Sequence, residues 1–191
     1  FVLGSFPRTE IADPAVGIDL SNQVQSGLDA TSGPTGTPGA PNPYFDPGVS
    51  VDPITVQDTY DILRDQGLSH EQAIGVLANI NRESAFNPAA VGDNGNSFGL
   101  FQYNRPAGRA DPFFQAVPDW QTNPEGQLVY TFNQEPTGVR YRGLEFGSSL
   151  EAANWFTNYF EIPANRASYT APGGYNSRIV EELEASIVRR P

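Results

Sequence analysis

Cysteine, methionine and lysine are all absent from this 191-residue chain. Without cysteine no disulfide can staple the fold, so a hydrophobic core has to hold it. A domain of about 140 residues can remove roughly two thirds of its unfolded surface from water, which makes such a core available. The redox compartment stays open, because cytosolic and extracellular proteins can both do without cysteine. Without methionine, residue 1 is expected to come from processing or from inside a longer polypeptide. No apolar run approaches the ~18 residues of a membrane span, and no charged-then-apolar leader opens the chain. Clusters of positive charge are missing too: the eleven basic residues are dispersed arginines against 22 acids, a formal net charge of -11. Phosphate binding needs basic clusters, so nucleic acid is excluded as the main partner. A single histidine, His70, in the first turn of an expected helix, argues against a metal site or a catalytic triad and reads as solvated.

What is present divides the chain in two. Residues 1–52 form an expected Pro/Gly-rich arm, with Pro34, Pro38, Pro41, Pro43 and Pro47 interleaved with Gly33, Gly36, Gly39 and Gly48. Such a composition buries too little apolar surface to offset chain entropy by itself. The arm is therefore expected to lie extended against a partner chain, the alternative being that it folds back on its own domain. Residues 53–191 carry regular helical punctuation. Val56, Tyr60 and Leu63 recur at helical spacing ahead of Gly67. Ser69 and Gln72 form a capping box before the stripe Ala73, Val76, Leu77 and Ile80. Asn123 and Pro124 open a third helix, and Ser148 with Glu151 a fourth, whose face carries Trp155, Phe156, Tyr159 and Phe160. Ile179, Val180, Leu183 and Ile187 mark a fifth. The expectation is a mainly α domain of about five helices with an irregular, loop-rich middle.

Glu83 falls at the end of the second helix, at the edge of its apolar stripe. Apolar surroundings and the negative end of the helix dipole both favour the protonated carboxyl. A glycosidase acid has to keep its proton near neutral pH in order to give it to a leaving oxygen. Position alone fits a solvated surface glutamate better, since a glutamate at a helix end usually is one.

The residues that follow are more telling. Glu83-Ser84-Ala85-Phe86-Asn87-Pro88 leads through Val91-Gly92-Asp93-Asn94-Gly95 to Ser97 and Gly99-Leu100-Phe101-Gln102-Tyr103. The run resembles the lysozyme-like superfamily of goose-type lysozymes and soluble lytic transglycosylases, and within it the phage tail lysozyme family most closely. Asn123 to Leu128 and Phe160-Glu161-Ile162-Pro163-Ala164 are similar to further segments of that family, so the likeness covers about residues 54–188.

The resemblance implies a lysozyme-like α+β fold without a cofactor or metal, and it implies that Glu83 is the general acid. Ser97 and Gln102 match groove-lining positions, Gly99 would let the backbone pass close to substrate, and Tyr103 would stack on a sugar ring. Ile162 departs from the family's arginine. Asp93 has two readings: a second carboxylate facing the acid, as in many glycosidases, or a turn aspartate bonded locally. Phe113, Phe114 and Trp120 could stack on glycan or cover the core, and Arg105 and Arg109 could contact muropeptide carboxylates or water. The function implied is a virion-associated peptidoglycan glycosidase, a muramidase or lytic transglycosylase. Its arm would bind tail or ejection proteins and so replace the charge attraction to an anionic wall that the acidic chain lacks. The alternative is a catalytically idle structural or glycan-binding virion protein of the same fold.

Overall fold

The computed structural model describes residues 44–189. The described residues are mainly helical. α1 (Val56–Asp65) is capped by Thr55, whose hydroxyl accepts from the Asp58 amide, and it ends two residues before Gly67, at φ 84°. α2 (His70–Ser84) begins with the expected capping box between Ser69 and Gln72. A small antiparallel sheet follows in the order β1 (Val91–Gly92), β2 (Ser97–Phe98), β3 (Tyr103–Asn104). Its register pairs Gly92 with Ser97 and Ser97 with Asn104. After α3 (Ala110–Ala116) come α4 (Pro124–Asn133), capped by Asn123 with Pro124 in its first turn, and α5 (Pro136–Arg142). α6 (Ser149–Phe156), capped by Ser148, runs into a π-turn at Thr157–Glu161; α7 (Arg166–Thr170) and α8 (Tyr175–Ser186) complete the order.

α2 is the axis of the molecule. From Gln72 to Ile80 every residue is buried, so the helix is covered all round and not on one stripe. Gly75 permits the closest approach: a Cβ there would stand 2.7 Å from the Ala153 backbone nitrogen, so α6 crosses α2 nearly backbone to backbone. Gln72 serves two helices. Beyond its part in the cap, its Nε2 donates to the carbonyls of Tyr141, Arg142 and Leu144 at 2.9, 3.1 and 2.9 Å, satisfying the orphan acceptors at the end of α5.

The core is rich in aromatic rings. Phe156 stacks on Phe160 at 4.3 Å and Tyr103 on Phe113 at 4.6 Å, distances at which such pairs add to area burial. Phe113, Phe114 and Trp120 are fully buried, so they cover the core. The fourth helix departs from the expected stripe: Phe156 and Phe160 are buried but Tyr159 is 53% exposed, because the π-turn changes the angular spacing after Phe156. His70 is not solvated. Its Nδ1 shares a hydrogen bond with the Tyr60 hydroxyl at 2.9 Å, and its Nε2 meets Glu184 at 2.8 Å, tying α1 and α8 to α2.

Residues 1–43, most of the expected arm, lie outside the described residues. The segment from Tyr44 rests on the domain: Tyr44 stacks on Phe114 at 5.2 Å, and its carbonyl accepts from Trp120 Nε1 at 2.6 Å. Asp46 and Gln121 exchange two hydrogen bonds of 2.9 Å. No helix among the described residues is long and apolar enough to cross a membrane.

Candidate active site

Glu83 stands in the last turn of α2, its side chain 10% exposed. The chain reverses at once, through Ala85 and Phe86, both left-handed at φ 48° and 63°. Among the described residues the other non-glycine positions with positive φ are Asp93, Asn94, Gln102 and Ile162. All of them flank Glu83, the small sheet or the end of the π-turn. Left-handed backbone costs about 1–2 kcal/mol for most non-glycine residues, and such outliers gather at functional sites.

The setting of Glu83 is not the purely apolar one expected. Its Oε1 accepts from Arg82 Nε at 2.8 Å and lies 2.7 Å from Arg82 Nη2. Arg82 is itself fixed: Nη2 donates to Asn79 Oδ1 at 3.0 Å, Nη1 to Thr157 Oγ1 at 3.4 Å, and the guanidinium lies 4.6 Å over the Tyr169 ring. Thr157 in turn donates to Asn79 Oδ1 at 2.8 Å and accepts from Asn176 at 3.0 Å. The C-terminal turn of α2 is thereby locked to the π-turn and to the start of α8, where Asn81 holds the Tyr175 hydroxyl at 2.7 Å.

The π-turn ends on a second carboxyl group, Glu161. Its Oε1 is sealed from solvent and has no hydrogen-bond partner. Burial and then the charge of Glu83 push this carboxyl well above the usual range, with Arg109 and Arg82 only partly opposing. Arg109 packs 4.2 Å over the Phe160 ring, donates to the Phe160 carbonyl at 3.0 Å, and places Nη2 3.5 Å from Glu135. Glu135 caps α5 by accepting from the Gly138 amide at 2.6 Å.

The remaining expected site residues have been put to structural use. Tyr103 is fully buried, its hydroxyl 2.7 Å from Thr131, because the ring completes the aromatic core; neither face is open to a sugar. Ser97 is buried and accepts from the Asn104 amide at 3.1 Å. The same amide reaches Asp93 Oδ2 at 3.0 Å, so Asp93 and Ser97 are clasped across the sheet by Asn104. Among the described residues no hydrogen bond or ion pair joins Asp93 to Glu83. Gly99, at φ 76°, makes room for a neighbour within the fold: a Cβ would lie 2.4 Å from Gln127 Oε1, which accepts from the Leu100 amide at 2.8 Å. Gln102 lays its Oε1 over Gly92 and donates to the Gly99 carbonyl at 2.9 Å, bracing the sheet. Arg105 lies 5.2 Å over Phe98 and 3.6 Å from Asp111.

A shielded acid in electrostatic reach of a second carboxyl, at a helix terminus followed by a short antiparallel sheet, is an arrangement suited to general acid chemistry. The sequence model of the phage tail lysozyme family matches residues 55–181, most of the chain. The chain belongs to the phage tail lysozyme family. A search of the curated proteins gives no match. Membership supports a peptidoglycan-acting, lysozyme-like role. Within this phage tail lysozyme domain Arg82 and Asn104 carry no local sequence signal, while Glu161 and Arg109 stand out in the sequence only as part of a family-like segment and as a candidate carboxylate contact. Arg82 and Asn104 could have been found only as polar residues whose positions meet Glu83 and the sheet. The hollow of about 340 Å3 lined by Phe132, Asn133, Val139, Arg142 and Gly143 contains none of the site residues.

Proposed function

We propose that this phage tail lysozyme domain is a virion-borne glycosidase that cuts the glycan backbone of peptidoglycan, with Glu83 as general acid. The observation that carries the reading is the placement of Glu83: shielded, in the last helical turn of α2, and clamped by Arg82 against the π-turn that presents Glu161. In the reaction Glu83 protonates the glycosidic oxygen while the C1–O bond breaks through an oxocarbenium-like transition state. A positioned acid contributes about a hundred- to ten-thousandfold in rate. Water attacking C1 gives hydrolysis; the muramic hydroxyl attacking gives an anhydro sugar.

Asp93, in the turn between β1 and β2, is a candidate for stabilising the developing positive charge, although its Oδ2 is occupied by Asn104. Ser97, Gly99 and Gln102 would shape the groove by holding the sheet, whereas ring surface for sugars would come from Tyr169 and Tyr175 beside Arg82. The arm would place the enzyme on tail or ejection proteins at the wall. The idle structural reading draws on one observation, the ion pair that engages Glu83. Incubating the chain with purified peptidoglycan and weighing the soluble fragments by mass spectrometry separates the two. Released disaccharide-peptides support the glycosidase, with reducing or anhydro ends naming the nucleophile, and no release at any pH the fold survives supports the structural role.

A further inference from the structure

Arg82 and Glu83 are neighbours in sequence, and on a helix consecutive side chains point about 100° apart and do not face each other. Yet Arg82 Nε donates to Glu83 Oε1 at 2.8 Å, and Nη2 stands 2.7 Å from the same oxygen. The rest of the fold imposes that contact. Nη2 also donates to Asn79 Oδ1 at 3.0 Å and Nη1 to Thr157 Oγ1 at 3.4 Å, while the Tyr169 ring covers the guanidinium at 4.6 Å. Asn79 and Thr157 are fully buried and bonded to each other at 2.8 Å. The Asn79 amide donates to the Gly75 and Ala153 carbonyls at 2.9 and 3.3 Å, and Thr157 Oγ1 accepts from Asn176 at 3.0 Å. The anchors of Arg82 are thus held by α2, α6, the π-turn and α8 together.

The contact is one-sided. Both nitrogens of Arg82 address Oε1, whereas Oε2 of Glu83 accepts no hydrogen bond among the described residues and, unlike Glu161 Oε1, is not sealed from solvent. A guanidinium can only donate, so the oxygen it addresses has to be the acceptor. A proton on Oε1 would compete with two donors for the lone pairs of that oxygen. In the neutral acid Oε1 is accordingly the carbonyl oxygen, and Oε2, the oxygen left open, carries the proton.

We propose that Arg82 is a positioning residue that fixes which oxygen of Glu83 is the acid: it holds Oε1 and leaves Oε2 to carry the proton to the glycosidic oxygen. The inference rests on the glycosidase reading. In the reaction Oε2 gives its proton to the leaving oxygen as the C1–O bond breaks and its electron pair stays on that oxygen. The carboxylate left behind keeps Oε1 against Arg82, so Glu83 does not turn over between cycles. Oε2 then recovers a proton from the attacking water or from the muramic hydroxyl that closes the anhydro ring. Arg82 acts only through Glu83, and it acts as a planar fork. Its Nε, Nη1 and Nη2 reach three acceptors at once, which a lysine ammonium on a flexible stem cannot do in that geometry. Displacing a reacting group by about 1 Å can cost on the order of a hundredfold in rate.

The test uses the full chain with Arg82→Lys, which keeps the charge without the fork, and Arg82→Met, which keeps neither. On soluble peptidoglycan oligomers, each chain at its own pH optimum, both variants are expected to lose about ten- to a hundredfold in kcat while KM stays within about twofold. A native kcat in a folded Arg82→Met chain overturns the proposal, and so does a loss confined to KM, which would make Arg82 a substrate ligand. A native kcat in Arg82→Lys also overturns it, because charge alone would then suffice. Nitrogen-15 NMR of the arginine Nε–H groups needs neither turnover nor a folded Arg82 variant. The expected result is one Nε–H in the native chain that exchanges slowly with water and shifts in Glu83→Gln. If every arginine Nε–H exchanges as an exposed one does, or none responds to Glu83→Gln, the clamp is not formed and the proposal fails. A native chain inactive on peptidoglycan would sink the glycosidase reading instead, and the NMR signal would still decide whether Arg82 holds Glu83.

Discussion

Gln127 and Gly99 show how much a single buried contact carries near the site. The Gln127 amide donates to the carbonyls of Pro88 and Trp120 at 2.8 and 2.6 Å and accepts from the Leu100 amide at 2.8 Å, joining three stretches of irregular chain. That position exists only because residue 99 has no Cβ and takes φ 76°. Gly99→Ala is therefore expected to cost about 2–4 kcal/mol, from backbone strain and a clash with a fully bonded amide. Urea unfolding would show it as a lowered midpoint with an unchanged slope, and a loss below about 0.5 kcal/mol would place the glycine's importance elsewhere. The motif marked Gly99, Ser97, Gln102 and Tyr103 as one group facing substrate. In the fold their side chains mostly bond to each other's strands or to the core, so the residue pattern reports the scaffold of the site as much as its surface.

At the scale of elements, local chemistry was legible and tertiary chemistry was not. Ser69 with Gln72, Asn123 with Pro124 and Ser148 with Glu151 mark helix starts because a cap is a contact within four residues. The two-residue strands, α3, α5 and α7 are too short for periodicity to reveal. The π-turn is held at both ends by Arg82 and Arg109, distant in sequence, so nothing local announced it. α2 looked amphipathic because Ala, Gly and Asn on its second face are small or polar, yet these are what let α6 approach. Gln72 tests the joint between elements: Gln72→Ala removes the side-chain half of the capping box and the donor for three carbonyls, while the Ser69 hydroxyl still caps the residue-72 amide, and is expected to lower stability by about 2–4 kcal/mol. Thermal unfolding would register this as a drop of several degrees, and an unchanged transition would mean that α5 is held by its apolar contacts alone.

For the whole molecule, the net charge of -11 and a sequence pI near 4.3 set it against an anionic wall. Surface repulsion of this kind is screened over about 8 Å at physiological ionic strength. Adding salt to a low-salt assay is accordingly expected to raise the rate on whole sacculi, or leave it level, and a steep fall with salt would reveal an attractive surface that the charge distribution does not suggest. The same repulsion is why tethering through the segment before Tyr44 belongs with the proposed role. The docking of Tyr44 and Asp46 on Trp120 and Gln121 fixes where such a tether would leave the domain.

The proposed chemistry depends on one carboxyl group, that of Glu83. The most direct measurement is the rate of soluble muropeptide release from purified peptidoglycan by the chain and by its Glu83→Gln variant, each shown by circular dichroism to be folded. The expected result is a loss of about a hundredfold or more in the variant while the chain stays folded at the assay temperature. A folded Glu83→Gln chain that releases fragments at the native rate would contradict the assignment of Glu83 as the acid.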